Sequence, residues 1–208
     1  MKGKHHVIGI CGGSGSGKTT FVEALKDRLP QDEICFISLD NYYLPRELQS
    51  KDANGIQNFD LPESIDAAEL LKDLNQLFGG NQVVRKEYTF NNDKRVESDV
   101  TLNPKKIYVI EGLFIYHYEL LKTMFDLKLF VDANDVLKVI RRIERDKHER
   151  NYPLSDVTYR YQHHVLPSYE QYIHKYKGEA DIVINNNVSF ENALDVILCF
   201  ITHKLGQW

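Results

Sequence analysis

The chain has 208 residues, 42% of them hydrophobic and 27% charged, a composition that lets a globular protein bury its core without disulfides or metals. Its 26 basic and 30 acidic residues leave a net charge of −4, so no global field draws it to nucleic acid or to an anionic membrane. Phosphate recognition, if present, has to be local; the length suits a single domain over 1–208, and no apolar run reaches membrane-spanning length.

The first apolar run, Val7 to Cys11, reads as a buried strand. It is too short for the apolar region of a secretory signal, which makes a cytoplasmic location the expectation. It leads directly into Gly12-Gly13-Ser14-Gly15-Ser16-Gly17-Lys18-Thr19, a complete G-x-x-x-x-G-K-[ST] motif, followed by Thr20 and a helical pattern from Lys18 to Leu29. Side chains larger than glycine would hold backbone N–H groups away from a phosphate and resist the dihedrals of such a loop. The positive end of the helix adds to the attraction, Lys18 reaches the β- and γ-phosphates, and the Thr19 hydroxyl ligates Mg²⁺. ATP and Mg²⁺ are the expected cofactors, with Gly12 to Thr20 as the nucleotide-binding segment.

A second apolar run, Ile34 to Leu39, ends in Asp40-Asn41-Tyr42-Tyr43. Ligands of open α/β sheets sit beyond the carboxyl ends of the strands, where Asp40 would stand; a carboxylate there can take the proton of an attacking hydroxyl, or merely cap a turn. Asp52-Ala53-Asn54-Gly55 fits the short D-x-x-G pattern of GTP switches, but no buried strand leads into it and no N-K-x-D guanine-reading motif occurs. From Ala67 to Phe78 the pattern is helical, with Asp66 and Glu69 as a capping-box pair, an apolar face of Leu70, Leu71, Leu74, Leu77 and Phe78, and Gly79-Gly80 as the stop. Residues 82–102 break the alternation and read as a β-hairpin turning at Asn91-Asn92-Asp93.

Ile107 to Ile110 is another buried strand, and it ends in Glu111, the candidate carboxylate for Mg²⁺ opposite Thr19. Strands at Leu127 to Val131 and Asp181 to Ile184 alternate with helical patterns at Asp135 to Arg150, Ser155 to Tyr176 and Phe190 to Leu205. Near-continuous apolar strands between helices imply a three-layer α/β fold of the P-loop type, with a central, mostly parallel sheet of about five strands and helices on both faces. The three cysteines, Cys11, Cys35 and Cys199, contain no C-x-x-C pair and read as buried free thiols. His163 and His164 point about 100° apart on a helix, so they read as surface or packing residues rather than joint metal ligands.

Ser38-Leu39-Asp40-Asn41-Tyr42-Tyr43, Asn58-Phe59-Asp60-Leu61-Pro62, Tyr88-Thr89-Phe90, Ile110-Glu111-Gly112 and Arg141-Arg142-Ile143-Glu144-Arg145-Asp146 occur in the order seen in uridine kinases. From Val7 to about Ile184 the sequence resembles the uridine/cytidine kinase branch of the phosphoribulokinase-like P-loop kinases. The resemblance implies Asp40 as catalytic base for a nucleoside 5′-hydroxyl and Lys18 and Arg142 as catalytic cations. It also implies Tyr43, Phe59, Tyr88 and Phe90 as walls of a nucleoside site, with Asp60 accepting from the ribose hydroxyls. The segment at about 141–160 becomes a lid, with Arg145 and Arg150 on the ATP phosphates and Arg142 near the acceptor hydroxyl. It further hints at a homo-oligomer.

Several positions depart from the family pattern. Asn91-Asn92-Asp93 stands where a histidine commonly meets the pyrimidine edge, Tyr152 replaces an arginine, Arg160 a glutamine and Leu61 a frequent histidine. An anionic sugar-phosphate or another small alcohol is therefore the alternative acceptor, and a regulatory nucleotide switch without an acceptor is the alternative from another class.

Overall fold

The computed structural model describes residues 5–30, 32–89, 98–149 and 152–206. Five parallel strands form its central sheet: β1 (His6–Cys11), β2 (Ile34–Ser38), β5 (Ile107–Glu111), β6 (Leu127–Asp132) and β7 (Ile182–Asn185), in spatial order β2-β5-β1-β6-β7. A separate antiparallel pair, β3 (Val83–Lys86) and β4 (Asp99–Leu102), forms the hairpin expected at 82–102; its turn lies outside the described residues. Every main-sheet strand falls where an apolar run stood in the sequence, because strands covered on both faces carry apolar side chains at successive positions.

Alternate residues of those runs feed two cores. Val7 and Cys11 of β1, Cys35 and Ile37 of β2, and Tyr108 and Ile110 of β5 face one side. There they meet Leu70, Leu74 and Leu77 of helix α2 (Ala67–Phe78), together with Tyr116, Tyr169, Ile173 and Tyr176. Ile8 and Ile10 of β1, Ile34 of β2, Val109 of β5 and Val131 of β6 face the other. Their partners are Phe21, Val22 and Leu25 of α1 (Lys18–Arg28) and Leu194, Ile197 and Ile201 of α7 (Glu191–Leu205). Asp66 caps α2 by accepting from the Glu69 N–H at 2.9 Å. The remaining helices are the short α3 (Glu119–Lys122), then α4 (Asp135–Glu149), α5 (Leu154–Arg160) and α6 (Leu166–Ser168).

Two sequence expectations need correction. Cys11 and Cys35 are buried, and burial pushes each thiol up to about 12, but Cys199 is exposed. It sits on the outer side of α7, two positions from the inward-facing Ile197, which on a helix is more than half a turn away. The helix expected from Ser155 to Tyr176 is continuous but not regular: wide π turns at Tyr161–Val165 and Tyr169–Ile173 flank α6, and a 3₁₀ turn at His174–Lys177 closes it. Pro167 sits between the π turns. It has no N–H to donate and its ring crowds the preceding turn, which wider turns relieve.

Candidate active site

At the carboxyl end of β1 the chain turns through residues 12–17 into α1. Gly15 and Gly17 take positive φ, 76° and 97°; a Cβ at Gly15 would collide with the Lys138 carbonyl oxygen, and one at Gly17 with the Asn186 amide. Glycine is thus demanded by conformation and by close packing against α4 and the end of β7. The Asn186 side chain donates to the Ser16 carbonyl at 2.9 Å and its backbone N–H to Asp132 O at 2.7 Å, so the segment after β7 pins the loop. The Lys18 ammonium is buried and donates to the Gly12 and Gly13 carbonyls at 2.8 and 3.0 Å. Burial lowers its pKa, against the opposing pull of Glu111 and Asp40.

Across from this loop, Ser38 at the end of β2 lies in register with Glu111 at the end of β5. The Ser38 hydroxyl donates to Glu111 Oε1 at 2.5 Å and accepts from the Asp40 N–H at 3.3 Å, capping a 3₁₀ turn at Leu39–Tyr42 that carries Asp40. Burial, and then the Asp40 charge, push the Glu111 carboxyl up to about 7, while Lys18 and the Ser38 hydrogen bond pull the other way.

Lys18, Thr19, Thr20, Asp40 and Glu111 line one cavity of about 870 Å³, as do Ser14, Gly15 and Gly17. Gly12 and Gly13 contribute their carbonyls to Lys18, and Ser16 is fully buried beneath the loop. The same cavity takes in Tyr43, Phe59, Asp60 and Tyr88, all expected at an acceptor site. The Tyr43 ring lies 5.4 Å from Tyr88 and 6.1 Å from Phe59, centroid to centroid. The hairpin is tied down where the Tyr88 N–H donates to Asn41 Oδ1 at 3.2 Å. Phe90 and Arg150 lie outside the described residues.

α4 supplies the arginines. Arg142 is 5% exposed, donates to the Ser14 hydroxyl at 2.8 Å and approaches Asp60 at 3.5 Å and Asp146 at 3.2 Å. Burial works against its charge, but Asp60 and Asp146 outweigh it and raise its pKa. Arg145 also lines the cavity and donates through Nε and Nη2 to Asp146 Oδ1. With Asp146 only 1% exposed, this is no solvated salt-bridged face. One buried carboxylate orients two cations over the phosphate loop.

Sequence reading missed three contributors. Asp146 was legible only as one charge among many. Arg141 lines the cavity and donates to the Asn186 carbonyl at 3.0 Å, with its Nη1 buried beside Gly17. Asn186 belongs to the run Asn185-Asn186-Asn187 at the end of β7, and its position at a strand's carboxyl end was the only signal. Arg160 and Tyr152 also line the cavity, the guanidinium 5.4 Å above the Tyr152 ring. Arg160 is spoken for: Nε donates to Asp156 at 3.0 Å and Nη1 to the Gln57 carbonyl at 2.9 Å.

A phosphate loop facing two strand-end carboxylates, with an aromatic pocket and buried arginines in the same cavity, is the layout of a small-molecule phosphotransferase. The family model described as Phosphoribulokinase / Uridine kinase family matches residues 7–191. The chain belongs to that family. A uridine kinase of Streptococcus pyogenes serotype M5 (strain Manfredo) is 35% identical over 207 residues, covering 100% of both chains. A uridine kinase of Streptococcus agalactiae serotype III (strain NEM316) is 34% identical over 207 residues, covering 100% of this chain and 99% of that one. Among solved structures, the phosphoribulokinase from Rhodobacter spheroides superposes with a TM-score of 0.65 at 20% identity, over 89% of this chain and 71% of that one. At that identity the likeness speaks for the shared three-layer fold of the phosphoribulokinase/uridine kinase family.

Proposed function

We propose that this family member is a kinase that transfers the γ-phosphoryl group of ATP to the 5′-hydroxyl of a pyrimidine nucleoside. The observation that carries the reading is the sharing of one cavity by Lys18, Asp40 and Glu111 with Tyr43, Phe59, Asp60 and Tyr88. Full-length similarity to uridine kinases supports the same acceptor.

Asp40 accepts the proton of the attacking hydroxyl, and its place on a capped turn holds it toward the phosphate loop. The loop's backbone N–H groups and Lys18 bind the phosphates, while Arg142 and Arg145, braced by Asp146, stabilise the spread charge of the transferring group. Asp60 accepts from the ribose hydroxyls, and Tyr43, Phe59 and Tyr88 present apolar faces to a flat base. Thr19 and Glu111 suit Mg²⁺. They offer hard oxygens on the cavity wall, and a carboxyl whose ionisation is suppressed by burial and a second acid gains from a cation beside it. Held by Thr19 and Glu111, Mg²⁺ would supply positive charge against the charge that develops on the phosphates.

Among the positions that depart from the family pattern, Arg160 is the one whose charge would suit a sugar phosphate. Asp156 balances that charge and the Gln57 carbonyl occupies Nη1, so Arg160 offers an acceptor no bare cation. The deciding experiment is a coupled ADP-release screen over uridine, cytidine, pantothenate, glycerate and sugar phosphates. Acceptor-stimulated turnover with the two nucleosides is expected; turnover with sugar phosphates alone would overturn the acceptor and keep the kinase.

A further inference from the structure

The D-x-x-G segment that resembled a GTP switch has another place in this molecule. Asp52 Oδ1 accepts from the backbone N–H groups of Asn54 and Ile56, both at 2.9 Å, and the Gly55 N–H closes the turn onto the Asp52 carbonyl. That leaves Oδ2, and it faces the helix that follows the arginine-bearing α4. Tyr159 donates its hydroxyl to Oδ2 at 2.8 Å, and His164 Nε2 lies 2.8 Å from the same oxygen. Asn54 completes the ring by donating to the Tyr159 hydroxyl at 2.6 Å. A carboxylate can only accept, so the His164 proton sits on Nε2 and is committed to Asp52. His164 is 2% exposed, and the π turn that holds it is the irregular stretch next to Pro167.

The turn leads straight into the acceptor side of the cavity. Arg160, the neighbour of Tyr159, donates to the Gln57 carbonyl, and two and three residues further on stand Phe59 and Asp60. Asn58 stiffens the same path, accepting from the Asp60 N–H at 2.9 Å while its own N–H donates to the Ser50 carbonyl at 2.7 Å. Asp52, Tyr159 and His164 are absent from the cavity wall.

We propose that Asp52, Tyr159 and His164 are positioning residues: they clamp the 52–60 segment to the helix that follows α4 and so set how well Phe59 and Asp60 hold the acceptor. The clamp acts on the same site as the kinase reading and rests on it for its kinetic consequences. It predicts a selective effect. Hydrogen bonds to a charged group, once removed, loosen the segment, while the phosphate loop keeps the contacts that pin it, Asn186 on the Ser16 carbonyl and Lys18 on the Gly12 and Gly13 carbonyls.

The test uses Tyr159→Phe, His164→Leu and His164→Gln, the last keeping a side-chain N–H near the Nε2 position. In Tyr159→Phe and His164→Leu the KM for uridine should rise about tenfold, the scale of one charge-assisted hydrogen bond, with KM for ATP and kcat within about twofold of the parent. His164→Gln should recover most of the loss. Asp52→Asn combined with Tyr159→Phe should be no worse than the poorer single variant, because both break one network. Hydrogen exchange gives a readout independent of turnover: backbone amides of 52–60 should exchange faster in Tyr159→Phe, with those of β1 unchanged. A parallel rise in both KM values, or unchanged exchange across 52–60, would overturn the clamp. A parent protein that phosphorylates no nucleoside would instead remove the kinase reading, and the exchange measurement would still judge the clamp.

Discussion

Asp40 and Glu111 both meet the Ser38 hydroxyl, one through its backbone N–H and the other through its carboxylate, yet their surroundings differ. Asp40 stands half-buried on a turn facing the acceptor pocket, where it can reach a hydroxyl. Replacing it with Asn keeps the shape and removes the proposed base, so kcat should fall by about 10²–10⁴ while ATP binding, measured by calorimetry, stays unchanged. Parent-like turnover in that variant would take Asp40 out of the mechanism. Glu111 is buried, and its carboxyl keeps its proton up to about pH 7 in the native protein, against 4.5 for an unperturbed group. Between those values the native state binds more protons than the unfolded chain, so this group makes stability fall as pH rises. In Mg²⁺-free buffer Glu111→Gln should therefore be the more stable protein above pH 7, on the order of a few kcal/mol, with the advantage gone below pH 4.5. Urea unfolding at a series of pH values measures it, and a difference that stays flat across that window would refute the assignment. Asp40 and Glu111 were both legible in the sequence because each follows an apolar strand. Asp146 and Asn186 were not, since their importance lies in partners 4 and 170 residues away.

Among the elements, legibility followed periodicity. The main-sheet strands, α1, α2 and α7 announce themselves by apolar runs or an apolar stripe, and Asp66 marks the start of α2 by chemistry that acts within three residues. The π turns around Pro167 are five residues each, too short to break a helical pattern, so only the proline hints at them. The phosphate loop shows why its motif is strict. Gly15 needs φ of 76° and has the Lys138 backbone against its α-carbon, so Gly15→Ala meets both a strained dihedral and an overpacked contact. Shifting α4 to make room costs about 1–3 kcal/mol and moves Arg142 and Arg145 with it. Calorimetry should find Mg-ATP binding weakened at least tenfold, with the far-UV circular dichroism of the parent retained. Undiminished binding would mean that the loop and α4 are not packed as tightly as their contacts indicate.

For the whole molecule, the cavity lies where every layer ends. The loop after β1 and the start of α1, the carboxyl ends of β2 and β5, α4, and the β3–β4 hairpin all contribute to its wall, and none forms it alone. The binding surface consequently exists only in the folded chain, and a ligand that fills it stabilises the fold by mass action. At about one hundred times its dissociation constant such a ligand adds about 2.7 kcal/mol, which for a chain of this size raises Tm by roughly 5–10 °C. A non-hydrolysable ATP analogue with Mg²⁺ should give that shift in a thermal melt, and chelating the metal should shrink it if Glu111 holds Mg²⁺ as proposed, because Glu111 and Asp40 then face the phosphates with Lys18 but no metal to offset them. Lys18→Ala should lose most of the shift for a second reason. Its ammonium is the buried positive charge that Glu111 and Asp40 both face, and without it the phosphate end of the cavity carries unbalanced acids. If the analogue stabilised the Lys18→Ala protein as well as the parent, the nucleotide would have to sit elsewhere in the fold.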